Sequence, residues 1–160
     1  MSAPLHEASA QAFAALRARG EHVSFAESLT GGMIAAALVE NPGASDVLNE
    51  SYVTYASSSK VRILGVRQQT VDAEGVVSAR CAAEMAEGVR RISGADWGVS
   101  ATGLAGPDGG TPETPVGTVF IGISSPAGTQ AYEFHFTGPR KEIRKKAACA
   151  AFEELRRQLS

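Results

Sequence analysis

The sequence predicts an α/β fold, a three-layer α/β/α sandwich with a mixed, mainly parallel sheet and a C-terminal hairpin. Three observations carry that expectation. Short β-prone runs at Val23–Ala26, Tyr52–Tyr55 and Trp97–Ala101 alternate with longer stretches of helical period, the pattern of strands joined by crossover helices. Val119–Ser124 and Ala131–Phe136 flank Pro126-Ala127-Gly128 and read as an antiparallel pair. Helical patterns also open and close the chain, so both faces of a sheet can be covered.

The elements follow in order. Leu5, Ala8, Ala12, Phe13 and Leu16 recur at helical spacing, so Pro4–Arg19 reads as a helix stopped by Gly20. His22–Ala26 is the first strand. A helix over about Thr30–Glu40 ends before Asn41-Pro42-Gly43. Ala44–Leu48 reads as a short helical turn with Ser45 near its cap. Ser51–Tyr55 is rich in β formers and reads as a strand. Ser57-Ser58-Ser59 opens a short helix that carries Lys60 and ends at Gly65. Ser78 caps a further helix with Ala82, Met85, Val89 and Ile92 on its apolar face and Gly94 as its stop. Trp97–Ala101 is a strand, and Thr102–Pro115 is a long Gly/Pro loop of the kind that carries function or motion. The last helix runs from about Arg140 to Leu159 and buries Ile143, Ala147, Ala151 and Leu155.

Composition narrows the function. At 160 residues with 44% hydrophobic and 20% charged content, residues 1–160 read as one globular domain. A formal net charge of −2 gives no electrostatic case for nucleic acid as the main partner. Cys81 and Cys149 fall within Ala-rich helical patterns, as small buried residues do. His6, His22 and His135 are too widely spaced to suggest a metal centre. The N-terminus lacks the apolar run of a signal peptide, and no stretch approaches the ~18 apolar residues of a membrane span. The expectation is a cytoplasmic protein.

The stretch around which the chain is organised is Ala26-Glu27-Ser28-Leu29-Thr30-Gly31-Gly32, a strand, a tight turn and a helix start. A helix start leaves backbone N–H groups without partners, so Thr30, Gly31 and Gly32 read as a candidate site for a phosphate, carboxylate or oxyanion. Ligands of such sheets sit outside the carboxyl ends of the strands. Three of those ends carry chemistry: Glu27-Ser28, Tyr55 followed by Lys60, and Thr102-Gly103. A hydroxyl, a lysine that can be desolvated, and a glycine-rich turn offering N–H groups are the parts of an acyl-transfer site. Each also has a plainer reading. Ser45 can be a cap, Lys60 a solvated surface lysine, and Arg140 and Arg144 part of a solvated basic face with Lys141, Lys145 and Lys146.

Six ordered segments resemble the CinA C-terminal domain family, also described as nicotinamide-nucleotide amidohydrolases. They are Ala26–Gly32; Asn41-Pro42-Gly43-Ala44-Ser45; Val53-Thr54-Tyr55 with Lys60; Gly75-Val76-Val77-Ser78; Ala101–Gly110 with Pro115-Val116-Gly117-Thr118-Val119; and Gly138-Pro139-Arg140 with Arg144. Family members are often fused behind a second domain, and this chain resembles the stand-alone form. The resemblance implies hydrolysis of nicotinamide mononucleotide to nicotinate mononucleotide and ammonia through an acyl-enzyme, with no metal and no organic cofactor. It implies Ser45 as nucleophile, Lys60 as its base and Tyr55 as an assistant in orienting or shuttling the proton. Ser28, Thr30, Gly31, Gly32, Thr102 and Gly103 would line the site, and Arg140 or Arg144 would hold the phosphate. Ser28 competes for the nucleophile role, because nucleophiles of other hydrolase folds sit in strand-to-helix turns. Leu29 stands where many members have Cys, and Pro139 where the residue is often Asp. A homo-oligomer is also expected. The alternative reading is a non-catalytic nucleotide- or protein-binding module linked to competence or DNA damage.

Overall fold

The computed structural model describes residues 3–160; of the expected 1–160 domain, Met1 and Ser2 lie outside the described residues. The chain runs α1 (Ala3–Arg19), β1 (Val23–Glu27), α2 (Met33–Val39), a 3-10 turn (Ala44–Asp46), β2 (Leu48–Val53), α3 (Ser57–Leu64), α4 (Gln68–Glu74), α5 (Ala79–Ser93), β3 (Trp97–Gly103), β4 (Thr118–Ser125), β5 (Gly128–His135) and α6 (Arg140–Leu159). The sheet order is β2-β1-β3-β4-β5. β1 pairs in parallel with both β2 and β3, with Glu27 opposite Val53 on one side and Ala101 on the other. β4 is antiparallel to β3 and to β5, so four strands share one direction and β4 runs against them. The carboxyl ends of β1, β2 and β3 therefore meet at one edge of the sheet.

Strand alternation divides the side chains between two layers. Val23 and Phe25 of β1 join Val99 and Ala101 of β3 in a core shared with α1, α2 and α6. Ala26 points to the opposite face, into a second cluster with Leu64, Cys81, Met85 and Val89 of α3 and α5. The same parity puts Glu27 on the α2–α6 side and Ser28 on the α3–α5 side. The alternation thus decides which of two adjacent residues meets which layer.

The α5 layer lies close to the sheet and to α3 because the contact residues are small. A Cβ on Gly98 would lie 2.2 Å from the Ala86 carbonyl, and one on Gly88 would lie 2.0 Å from the Leu64 carbonyl. Gly88→Ala therefore separates two effects. Helix propensity favours alanine by about 1 kcal/mol, whereas overpacking against a fixed backbone costs about 1–3 kcal/mol. The expected net result is destabilisation with α3 pushed away from α5; urea unfolding measures it, and a gain in stability would contradict the close contact.

Element ends differ from the sequence expectation in physical ways. β2 begins at Leu48, not Ser51, and ends at Val53, since the carbonyls of Thr54 and Tyr55 turn aside to accept from Lys60. α2 begins at Met33, not near Thr30, because Gly31 and Gly32 take φ of +57° and +101°. α4 was not signalled: its seven residues have no apolar face, and Thr70 alone is buried. Glu84 of α5 anchors it, accepting from the Arg67 amide and the Thr70 hydroxyl. Ser78 caps α5 as expected, accepting from the Cys81 amide at 3.2 Å, while Ile92 is exposed and not on the buried face.

Candidate active site

Lys60 lies one turn into α3 and is fully buried, not a solvated surface lysine. Its Nζ donates to the Thr54 carbonyl at 2.7 Å and the Tyr55 carbonyl at 3.1 Å, and lies 3.1 Å from Ser28 Oγ. None of its hydrogen-bond partners is a carboxylate. Burial pulls the amine below its ordinary range, and Cys81 acts weakly the other way. Burial also pushes the Cys81 thiol up to about 11, so near neutrality it remains a thiol. In the neutral amine two N–H groups satisfy the two carbonyls, and the lone pair faces the serine hydroxyl. That arrangement can take a proton from Ser28 Oγ.

Ser28 follows the last residue of β1. Its amide donates to the Ala101 carbonyl at 3.0 Å and fastens the turn to β3. Gly31 N–H donates back to the Ser28 carbonyl at 3.0 Å and closes the turn. Among the described residues, the amides of Leu29 and Thr30 have no protein acceptor. These are the N–H groups nearest in sequence to the serine, where an oxyanion would form.

Of the anion site expected at Thr30, Gly31 and Gly32, the Gly31 and Gly32 amides are taken from within, by the Ser28 carbonyl and by Glu27, while the Thr30 amide stays open among the described residues. Glu27 is fully buried. Its Oε1 accepts from the amides of Gly32 at 3.1 Å and Ile34 at 3.0 Å, and its Oε2 from the amide of Ala35 at 3.0 Å and from Ser51 Oγ at 3.4 Å. The carboxylate satisfies helix-start donors that would otherwise be open, so Gly32 does not present a free amide to a ligand. The sequence reading missed this role. Its signal was an acidic residue ending an apolar strand a few positions before a helix.

The remaining expected residues fall into separate groups. Thr30 is fully buried, and its hydroxyl has no partner among the described residues. Thr102 Oγ1 donates to the Val76 carbonyl at 2.8 Å and fastens the turn before α5. Gly103 has no room for a side chain, with the Thr118 carbonyl 2.7 Å from where a Cβ would stand. Tyr55 offers Lys60 its carbonyl, not its hydroxyl; the ring is exposed and its hydroxyl accepts from Arg140 at 3.1 Å. Arg140 also donates to the Gly106 carbonyl at 2.7 Å, pinning the Gly/Pro loop to α6. Arg144 donates to the carbonyls of Leu29 at 2.8 Å and Thr30 at 3.2 Å. The two arginines thus bind different backbone segments and do not share one acceptor.

Ser45 stands apart from the other expected residues. It lies exposed in the 3-10 turn before β2, at the amino end of the strand, whereas Lys60 sits beyond the carboxyl end. The intervening strand, Leu48–Val53, spans about 17 Å at roughly 3.3 Å per residue. Within the chain no Ser45–Lys60 contact forms, and the serine at the lysine is Ser28. Nor does Ser45 cap the turn: Gly43 occupies the cap position, with no side-chain bond.

The model of the CinA C-terminal domain family matches residues 5–159. A CinA-like protein of Anaeromyxobacter sp. (strain K) is 50% identical over 143 residues, which is 89% of this chain and 35% of the relative. A CinA-like protein of Endomicrobium trichonymphae is 48% identical over 86% of this chain and 32% of its own. The chain thus spans about a third of the length of the curated relatives it matches. Among solved structures, the competence/damage inducible protein CihA from Agrobacterium tumefaciens superposes with a TM-score of 0.94 at 36% identity, covering 97% of this chain and 95% of the other. A competence or damage-inducible protein from Enterobacter asburiae superposes with a TM-score of 0.93 at 31% identity, covering 98% of each chain. No described helix is long and apolar enough to cross a membrane.

Proposed function

The chain belongs to the CinA C-terminal domain family, and from that premise we propose that it is an amidohydrolase acting on nicotinamide mononucleotide, with Ser28 as nucleophile and Lys60 as base. The observation that carries this reading is the buried Lys60 amine, held by two carbonyls and 3.1 Å from Ser28 Oγ. Lys60 takes the hydroxyl proton as Ser28 Oγ attacks the carboxamide carbon. The oxyanion that develops faces the open amides of Leu29 and Thr30. Lys60 returns the proton to the departing nitrogen, and ammonia leaves. Water then attacks the acyl-serine, with Lys60 again as base, and nicotinate mononucleotide is released. Arg140, exposed at the rim beside Tyr55, is the side chain proposed for the phosphate, for which a guanidinium fork is well shaped. A second copy of the chain is the proposed cover for the exposed Val53 and Tyr55 next to the site; sedimentation as a monomer would remove that part.

The test is ammonia release from nicotinamide mononucleotide by purified protein, with Ser28→Ala and Ser45→Ala compared. Ser45→Ala is expected to retain the rate within about threefold, as an exposed serine without side-chain partners should. Loss of turnover in Ser45→Ala, with folding intact, would return the nucleophile to Ser45 and require it to arrive from a second copy. No release by the unmodified protein would remove the substrate.

A further inference from the structure

We propose that Arg144 is a positioning residue for the reaction, not a ligand of the substrate's phosphate: from the α6 side it holds the Leu29 and Thr30 carbonyls so that the Thr30 N–H is presented on the Ser28–Lys60 side as an oxyanion donor. The inference rests on the acyl-transfer reading given above. It follows from which face of the turn each group occupies. Arg144 reaches the turn from α6, the layer that packs with Phe25 and Ala101. Lys60 reaches it from α3, whose Leu64 packs with Ala26 on the other face. The Leu29 carbonyl accepts from Arg144 Nε at 2.8 Å. In a trans peptide the C=O and N–H point in opposite directions. The N–H of that same peptide plane belongs to Thr30, so it is turned away from α6 and towards the lysine face.

The second bond fixes the next peptide plane. The Thr30 carbonyl accepts from Arg144 Nη2 at 3.2 Å. The amide of that plane, Gly31 N–H, is taken by the Ser28 carbonyl at 3.0 Å. Of the two planes that Arg144 holds, one closes the turn and the other leaves its N–H without an acceptor among the described residues. Gly31 is the residue that admits this clamp. Its φ is +57°, and a Cβ there would stand 3.3 Å from Arg144 Nη2. A fixed fork of N–H donors suits two adjacent carbonyls in a way that a single ammonium does not.

The experiment measures kcat and KM for nicotinamide mononucleotide in Arg144→Lys, Arg144→Gln and Arg144→Ala, with Arg140→Gln as the contrast and thermal melting as the check on folding. A positioning role predicts a fall in kcat of about 100-fold in all three Arg144 variants, the scale of losing or misplacing an oxyanion donor. KM stays within about threefold, and added guanidinium restores part of the rate in Arg144→Ala. Arg140→Gln raises KM instead. A tenfold or larger rise in KM with kcat kept in the Arg144 variants would overturn the proposal, as would wild-type kcat in Arg144→Lys. A second readout separates this from the choice of substrate: the rate at which a fluorophosphonate probe modifies Ser28, followed by intact mass. If the unmodified protein releases no ammonia from the nucleotide, the substrate reading fails, and the Arg144 proposal is decided by labelling. Labelling slowed about tenfold or more supports it, and equal rates overturn it.

Discussion

Ser28→Ala and Lys60→Ala are each expected to lower kcat for the amide by about 10³-fold or more, and the double variant to lose little beyond either. Groups that act as one unit show this non-additivity, with residual catalysis left to oxyanion donors and binding. The pair is a unit because Lys60 Nζ has Ser28 Oγ as its single side-chain partner, its other two acceptors being backbone carbonyls. A base must be neutral to accept the proton, so the rate rises with pH through the Lys60 ionisation. Burial pulls that ionisation below the ordinary 10.5, and the rising limb of kcat/KM is expected there. The stability linkage has the same sign. Between the folded and unfolded pKa values the unfolded chain binds the extra proton, so stability rises with pH over that interval. A pH–rate profile with no limb below 10.5, or one unchanged in Lys60→Ala, would remove Lys60 as the base.

Much of this was legible in the sequence, for reasons that can be named. α6 carries its own period and its limits, Arg140–Leu159, are the expected ones. The turn at Ser28 was marked by two glycines after a hydroxyl, and the three strand ends that carry chemistry were identifiable, although that they meet at one edge of the sheet follows only from the strand pairing. Parity was the harder part. Adjacent Glu27 and Ser28 look alike as polar residues at a strand end, yet the pleat sends them to opposite layers. Ser45 and Lys60 were paired by resemblance alone, and within one chain β2 lies between them. The order turn, strand, Lys60 helix already set the two at opposite ends of that strand; what the parallel register of β1 and β2 adds is that Ser28 lies at the lysine's end. Backbone acceptors left no trace in side-chain identity. The carbonyls that hold Lys60 and Arg144 come from residues whose types say nothing about that use.

Glu27→Ala is expected to destabilise the fold more than any other single change at this turn. Four donors converge on the carboxylate, three of them backbone amides at the start of α2. Losing a helix cap alone costs about 1–2 kcal/mol. Buried donors left unpaired add about 1–3 kcal/mol each where water cannot reach them. The sum points to about 3–5 kcal/mol, and for a chain of this length to a melting temperature lower by roughly 10–15 °C. Glu27→Gln separates shape from chemistry. Its oxygen can keep two of the amides, but its NH₂ then faces another N–H, where a carboxylate oxygen had accepted. A smaller loss, about 1–2 kcal/mol, is expected from one missing acceptor. Glu27→Asp is one methylene shorter and cannot span from β1 to the same three amides. It should fall nearer the alanine variant than its charge suggests. Calorimetry on the three variants decides the matter: equal melting temperatures in Glu27→Ala and the unmodified protein would mean that the turn preceding α2 is held by Arg144 and the β3 contact, without its internal anion.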